Sequence, residues 1–244
     1  MKKYPKTEKY DLRWISENWM GPHPLWLLEE LCEHMDLKPG MKVLDMGCGK
    51  GITSVFLAKE FGVTVFANDL WISATENLKR FEEAGVADLV FPIHAEAHAL
   101  PYSEGFFDAA ISIDSYQYFG TDETYFPCTY SKLVKTGGQF GIVVPGLTRE
   151  FPKGYPDTLK ECWDADMFSF HSKQWWQRLW EKTEIVEITA CYEIEDPKEI
   201  WQPWAKWAKD NLGFNDVELL EADTNNDLAL IVISGIKQHT TSAE

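Results

Sequence analysis

The chain has 244 residues, 45% of them apolar, and its 39 Asp and Glu outweigh 23 Lys and Arg to give a formal charge of −16. That acidity excludes nucleic acid as the expected partner, because phosphate backbones are bound by cationic surfaces, and it disfavours an anionic membrane. Five scattered cysteines with no C-x-x-C pair exclude a zinc or disulfide framework.

The N-terminal run Met1-Lys2-Lys3-Tyr4-Pro5-Lys6 is basic, but no apolar signal core follows it. No span is long and apolar enough to cross a membrane, so a cytoplasmic protein with reduced thiols is expected. Tyr4, Tyr10, Trp14 and Trp19 follow at irregular spacing before Gly21-Pro22-His23-Pro24 breaks the chain. Leu25 to Met35 reads as an amphipathic helix with Leu27, Leu28, Leu31 and Met35 facing the core.

Within Met41 to Gly51 a short apolar run, Val43-Leu44, reads as a strand and ends on Asp45, which opens Asp45-Met46-Gly47-Cys48-Gly49-Lys50-Gly51. Ile52 to Phe61 then carries apolar residues at helical spacing. A strand, a glycine turn and a helix put a nucleotide-like ligand at a strand's carboxyl edge. A dinucleotide fold uses G-x-G-x-x-G, whereas this chain has D-x-G-x-G-x-G.

Val63 to Ala67 is a second strand, and Asp69 beyond it stands where α/β nucleotide sites hold ribose hydroxyls. Its carboxylate is expected to accept both hydroxyls, with Leu70 and Trp71 offering an apolar face to an adenine. The alternative for Asp69 is to cap a helix over Ile72 to Phe81, for which Ser73 competes. Leu89 to Ile93 is a third strand, followed by Glu96-Ala97 and Leu100-Pro101. His94 and His98 have no acidic partner at ligand spacing, so no metal site is expected. A turn leads to Phe107-Asp108, and an apolar fourth strand then ends on Asp114, with Tyr116 and Tyr118 just past its carboxyl end. Leu133, Gly137 and Gly138 lead into a fifth strand that ends near Pro145.

Taken in order, these motifs over residues 37 to 145 resemble the class I S-adenosylmethionine-dependent methyltransferases. The resemblance implies a doubly wound, seven-stranded Rossmann-like α/β sheet, mostly parallel with an antiparallel last strand, plus a helical N-terminal arm and a lid insertion. It implies S-adenosyl-L-methionine as cofactor, held by Asp45, Gly47, Cys48, Gly49, Gly51, Asp69, Leu70 and Trp71, with Glu96 and Ala97 at the adenine. The Asp/Asn-Pro-Pro-Tyr signature of nucleic-acid and protein amino-methylating enzymes is absent. A small-molecule methyl acceptor is therefore expected; a macromolecular methyltransferase and a non-catalytic nucleotide-binding protein are the alternatives.

Methyl transfer from a sulfonium needs positioning and a base only when the nucleophile carries a proton. Candidates near the methyl group are Asp114, Tyr116, Tyr118 and His171.

Residues 147 to 182 read as a lid followed by a helix through Trp175, Trp176 and Trp180. Thr183 to Ile194 alternates like a strand. Asp196-Pro197 is expected to cap a helix whose Trp201, Trp204 and Trp207 form a buried face or a pocket wall. Asp227 to Ile236 is a last strand. The expected units are an arm (1–36), a cofactor core (37–146), the lid (147–182) and a C-terminal completion (183–244).

Overall fold

The computed structural model describes residues 3–239. Met1 and Lys2 of the basic run, and 240–244 of the C-terminal unit, lie outside the described residues. The strands are β1 (Lys42–Met46), β2 (Thr64–Asp69), β3 (Val90–His94), β4 (Phe107–Ile113), β5 (Val134–Leu147), β6 (Val186–Glu193) and β7 (Leu228–Lys237). They form one sheet in the order β3-β2-β1-β4-β5-β7-β6. Strands β1 to β5 pair in parallel, and β7 is antiparallel to both β5 and β6. The expected doubly wound sheet is therefore present. Its winding reverses between β1 and β4, which opens a crevice at their carboxyl ends.

Both faces of the sheet are covered, and the strands alternate between them. Leu228, Leu230 and Val232 of β7 join one core layer, while Ala229, Ile231 and Ile233 join the other. The helices are α1 (Leu12–Asn18), α2 (Pro24–Cys32), α3 (Ile52–Phe61), α4 (Ala74–Glu83), a one-turn α5 (Ser131–Leu133), α6 (Lys173–Glu181), α7 (Pro197–Leu212) and α8 (Asp216–Ala222). Trp176 and Trp180 of α6 are fully buried with Tyr116, Tyr125, Phe126 and Tyr130 in the second layer.

Several boundaries differ from the sequence reading. Helix α2 stops at Cys32, short of Met35, because Gln139 takes the Asp36 backbone out of the helix: its Oε1 accepts from Asp36 N at 2.7 Å and its Nε2 donates to Asp36 O at 3.1 Å. Strand β2 runs on to Asp69, two residues past the expected end. The residue that caps α4 is Ser73, in a reciprocal box with Glu76, so Asp69 is not its cap. Asp196 holds the N-cap position of α7 in a left-handed conformation, but its side chain caps nothing. Trp201 and Trp204 are core residues, and Trp207 is half-buried beside them.

The N-terminal arm is bound into this body. Trp19 sits edge-on to Trp204 and Trp207, with ring centroids 6.2 and 6.1 Å away. Glu29 of α2 is buried, and its carboxylate accepts from Lys6 N, Thr7 N and the Thr7 hydroxyl, each at 2.9 Å. Removing that acceptor leaves three donors unpaired, each costing about 1 kcal/mol or more where water cannot replace the partner. Glu29→Ala should therefore lower stability by about 1–3 kcal/mol, read as the urea unfolding midpoint. An unchanged midpoint would mean that Glu29 does not anchor the arm.

Candidate active site

A cavity of about 260 Å³ opens at the carboxyl ends of β1, β2 and β4. Its floor is the loop from Met46 to Lys50, one wall is Asn68 to Trp71, and a second is Ala95 to His98. Ile113 to Ser115, Tyr118 and Phe119 close the far end, and the arm from Asn18 to Pro22 forms the roof.

The loop is built by backbone chemistry. Gly47, Gly49 and Gly51 all have positive φ (71°, 54° and 81°), which L side chains rarely adopt. A Cβ on Gly47 would lie 2.2 Å from Ser115 Oγ, and one on Gly51 2.3 Å from the Phe81 ring. Gly47 N and Cys48 N donate to the Asn68 carbonyl at 2.8 and 2.9 Å, so the turn is tied to the end of β2. Asn77 Nδ2 donates to Gly49 O at 2.9 Å from the far side.

Asp69 completes the tie. Its Oδ2 accepts from Gly49 N at 2.8 Å, and its Oδ1 accepts from Trp71 N and Ile72 N at 2.7 and 2.8 Å. Of about four lone-pair sites on a carboxylate, three are taken, and the remaining one lies on Oδ2. The expectation that Asp69 accepts two ribose hydroxyls at once thus meets a carboxylate with room for one.

Leu70 and Trp71 line the cavity and are 53% and 66% exposed; the Trp71 ring stands edge-on to Tyr118 at 5.5 Å. Glu96 is exposed at the second wall. Its carboxylate accepts from His98 N at 2.9 Å and from His98 Nδ1 at 2.8 Å, and the bond with the His98 side chain is the main cause that holds its pKa low. Ala97 is buried next to it and also lines the cavity. Cys48 lines the floor, and burial pushes its thiol pKa well up, so it is an apolar wall and no nucleophile.

Four residues expected at the site lie behind the cavity wall. Asp45 is buried beneath the loop, where its Oδ2 accepts from the Thr53 and Ser54 hydroxyls, both at 2.6 Å, while Oδ1 has no partner. Burial lifts its carboxyl to about 6. Gly51 packs on Phe81 as the N-cap of α3. Tyr116 is fully buried in the second core layer against Phe119, Tyr125, Tyr130, Trp176 and Trp180. His171 stacks on Trp175 at 3.8 Å and pairs with Glu150 at 3.2 Å. Asp114 and Tyr118, by contrast, do line the cavity.

The roof is the N-terminal arm, which the family resemblance allows either to cover the cofactor or merely to pack against the body. Trp19, Met20 and Gly21 lie over the loop and over Asp114, and only the Gly21-Pro22 break signalled a change of direction there. A Cβ on Gly49 would come 2.9 Å from Met20 Sδ, and one on Gly21 1.8 Å from Asp114 Oδ2. The Lys50 ammonium donates to the Glu17 carbonyl at 3.1 Å and ties the loop to the arm. No residue of the expected lid, 147 to 182, is part of the cavity wall.

A glycine loop at a switch point, a carboxylate at the end of the next strand and a ring-lined far end are the arrangement by which α/β sheets present a crevice to a nucleotide-type ligand. Comparison with known proteins narrows this class. Residues 43–138 match a family described as a methyltransferase domain. Over 117 residues the chain is 31% identical to methyltransferase GfsG of Streptomyces halstedii, covering 48% of this chain and 42% of that one. Over 119 residues it is 31% identical to a sarcosine/dimethylglycine N-methyltransferase of Halorhodospira halochloris, with the same two coverages. The chain thus spans less than half the length of these curated relatives. Its fold is similar to that of phosphoethanolamine N-methyltransferase 2 of Haemonchus contortus in complex with S-adenosyl-L-methionine, with TM-score 0.74, 17% identity, and coverage of 98% of this chain and 60% of that one. Residues 43–138 are accordingly similar to a methyltransferase domain, and the whole chain shares the fold of a protein solved with S-adenosyl-L-methionine.

Asp114 has a consequence for stability. Burial lifts its carboxyl from 3.8 to about 8, against a lowering bond from the Gln117 amide and with the Asp216 charge helping to raise it. The unfolded chain releases this proton above about pH 4 while the folded chain keeps it until about pH 8, so stability falls as pH rises across that window. Asp45 adds a similar loss up to about pH 6. Asp114→Asn should flatten the fall, so that the variant gains on the parent between pH 5 and 8 in urea unfolding midpoints. Parallel profiles for the two proteins would contradict this assignment.

Proposed function

We propose that this protein is an S-adenosylmethionine-dependent methyltransferase that acts on a small molecule. The observation that carries the reading is the loop Gly47–Gly49, pinned to Asn68 and Asp69 at the floor of a cavity with a carboxylate wall. The donor set fits a neutral adenosine with a cationic tail: the walls offer Asp69, Glu96 and Asp114, and Lys50 is the single lysine or arginine among the described lining residues. A pyrophosphate would meet that wall unfavourably. The GfsG and sarcosine/dimethylglycine relatives are named as methyltransferases, which also supports it.

In this reading Asp69 Oδ2 accepts from one ribose hydroxyl, and Leu70 and Trp71 cover one face of the adenine. Glu96 and the Ala97 N–H meet the adenine edge, and the loop with the first turn of α3 surrounds the amino-acid tail. When bound, the cofactor supplies an already activated methyl group. The protein's part is to orient the acceptor in line with it and to exclude water, which the arm and the rings of Trp71, Tyr118 and Phe119 are placed to do. The acceptor end of the cavity is the region of Trp19, Asp114 and Tyr118. The acidic surface speaks for a small acceptor over a nucleic acid.

Calorimetric titration tests this. S-adenosylmethionine and S-adenosylhomocysteine should bind in the micromolar range, on the order of −8 kcal/mol, and NAD should not. Asp69→Ala should weaken the binding roughly 10- to 100-fold, the worth of a hydrogen bond to a charged group, with the circular dichroism spectrum retained. Binding of NAD in preference to the sulfur nucleotides, or unchanged affinity in the variant, would refute the reading.

A further inference from the structure

The acceptor end of the cavity has a one-sided chemistry. Asp114 lines it, and its backbone is held at φ 53°, a left-handed conformation that few non-glycine residues adopt. Its carboxylate is in contact with the roof: Gly21 passes so close that a Cβ there would lie 1.8 Å from Oδ2. The one side-chain hydrogen bond found for it among the described residues is a long one, 3.4 Å, from Gln117 Nε2 to Oδ1. Gln117 is itself 2% exposed and its Oε1 has no partner. Trp19, 7% exposed, forms part of the same wall, and its indole N–H is also unpartnered.

The charges that act on this end from behind its wall have the same sign: Asp216 of α8 acts on Asp114, and Asp164 and Asp166 act on Tyr118, although none of the three lines the cavity. His23 lies behind Trp19 and is held neutral by burial, which lowers its pKa to about 4. Lys50 belongs to the loop and its ammonium is turned to the Glu17 carbonyl. A carboxylate or phosphate on the acceptor would therefore find no cation here, whereas an ammonium group would find one directed acceptor and several supporting charges. The half-exposed Tyr118 ring and the Trp19 ring add π-faces suited to a cation.

We infer that the methyl acceptor is an amine without an anionic group, and that Asp114 holds its ammonium and takes the proton that must leave before transfer. This rests on the S-adenosylmethionine reading above. An ammonium nitrogen has no free electron pair, so one N–H proton passes first to an Asp114 carboxylate oxygen. The nitrogen pair then forms the bond to the methyl carbon as the carbon–sulfur bond breaks, and that pair stays on sulfur as the thioether of S-adenosylhomocysteine. The positive charge moves from sulfur to the methylated nitrogen, and Asp114 returns its proton to solvent. Burial lifts the Asp114 carboxyl to about 8, so the ionised form that holds the ammonium and takes its proton is the one present above that pH, and turnover of the amine should rise as pH rises through about 8.

Two measurements test it. In the first, the complex with S-adenosylhomocysteine is titrated calorimetrically with benzylamine, phenethylamine and putrescine, and with sarcosine, phosphoethanolamine and geranyl diphosphate as anionic probes. At least one plain amine should bind, and each anionic probe should bind roughly tenfold more weakly or not at all, the cost of an unpaired charge. In the second, release of S-adenosylhomocysteine is followed with the same set. Asp114→Asn, which suits the left-handed backbone equally well, should lose on the order of 100-fold in kcat with the amine while its affinity for S-adenosylmethionine changes little. A complex that binds none of the plain amines overturns the inference, as does turnover of an anionic or carbon acceptor at equal kcat/KM, or an Asp114→Asn variant with parent kcat. Failure of the protein to bind S-adenosylmethionine at all would instead sink the underlying reading, so the two failures are told apart by the cofactor titration alone.

Discussion

The site depends on one short piece of backbone being held still from behind. The carbonyl of Asn68 takes two amides of the glycine loop, and the carboxylate of Asp69 takes a third. Both residues sit at the end of β2, and β2 is paired along its length with β1, from which the loop departs. The loop is thus bridged to the strand beside its own, so its left-handed glycines are fixed relative to the sheet. Left-handed backbone is entropically costly to order, and three directed hydrogen bonds at 2.8 to 2.9 Å offset that cost. The other walls take their positions from this one. The arm meets the loop through Met20 and through Lys50, and Ser115 packs where Gly47 lacks a side chain.

The parts of this arrangement that were legible in the sequence are those set by local rules. Glycine at alternate positions after a strand signalled the loop, and helical spacing gave α3 its observed ends, Ile52 and Phe61. Strand order followed from the βα alternation and from the family resemblance. Which way a side chain points at the edge of the sheet was not legible. Asp45 is the last residue but one of β1 and Asp69 the last of β2, yet one turns beneath the loop and the other onto the cavity, because Asp45 precedes the turn while Asp69 stands on the neighbouring strand facing it. Tyr116 and Tyr118 are two residues apart in a single tight turn, and they leave it in different directions, one into the aromatic core and one to the cavity wall.

The arm shows a second limit of local reading. Its aromatic residues have no helical or strand period, so the sequence offered no face to assign. Their partners are distant in the chain: Tyr4 bonds Glu30, Trp19 meets Trp204 and Trp207, and Thr7 is held by Glu29. The Trp-rich helix and the arm explain each other, since the face of α7 that looked either like core or like pocket is core because the arm covers it. The expected lid was drawn from composition alone, and it is the arm that supplies the roof.

Asp114 combines two unfavourable features, a left-handed backbone and a carboxyl in a dry environment. Either could be relieved by a common substitution: glycine would relax the backbone and asparagine would remove the charge. A fold selected for stability alone has no reason to keep both at one position, and strain that the surroundings over-determine collects at sites that do chemistry. Here the surroundings are specific. Asp114 N donates to the Val143 carbonyl of the adjacent strand, which fixes the backbone, and the roof at Gly21 fixes how far the carboxylate can move. The same contacts that hold Asp114 in place therefore leave its carboxylate facing the cavity, where it answers first to whatever enters there.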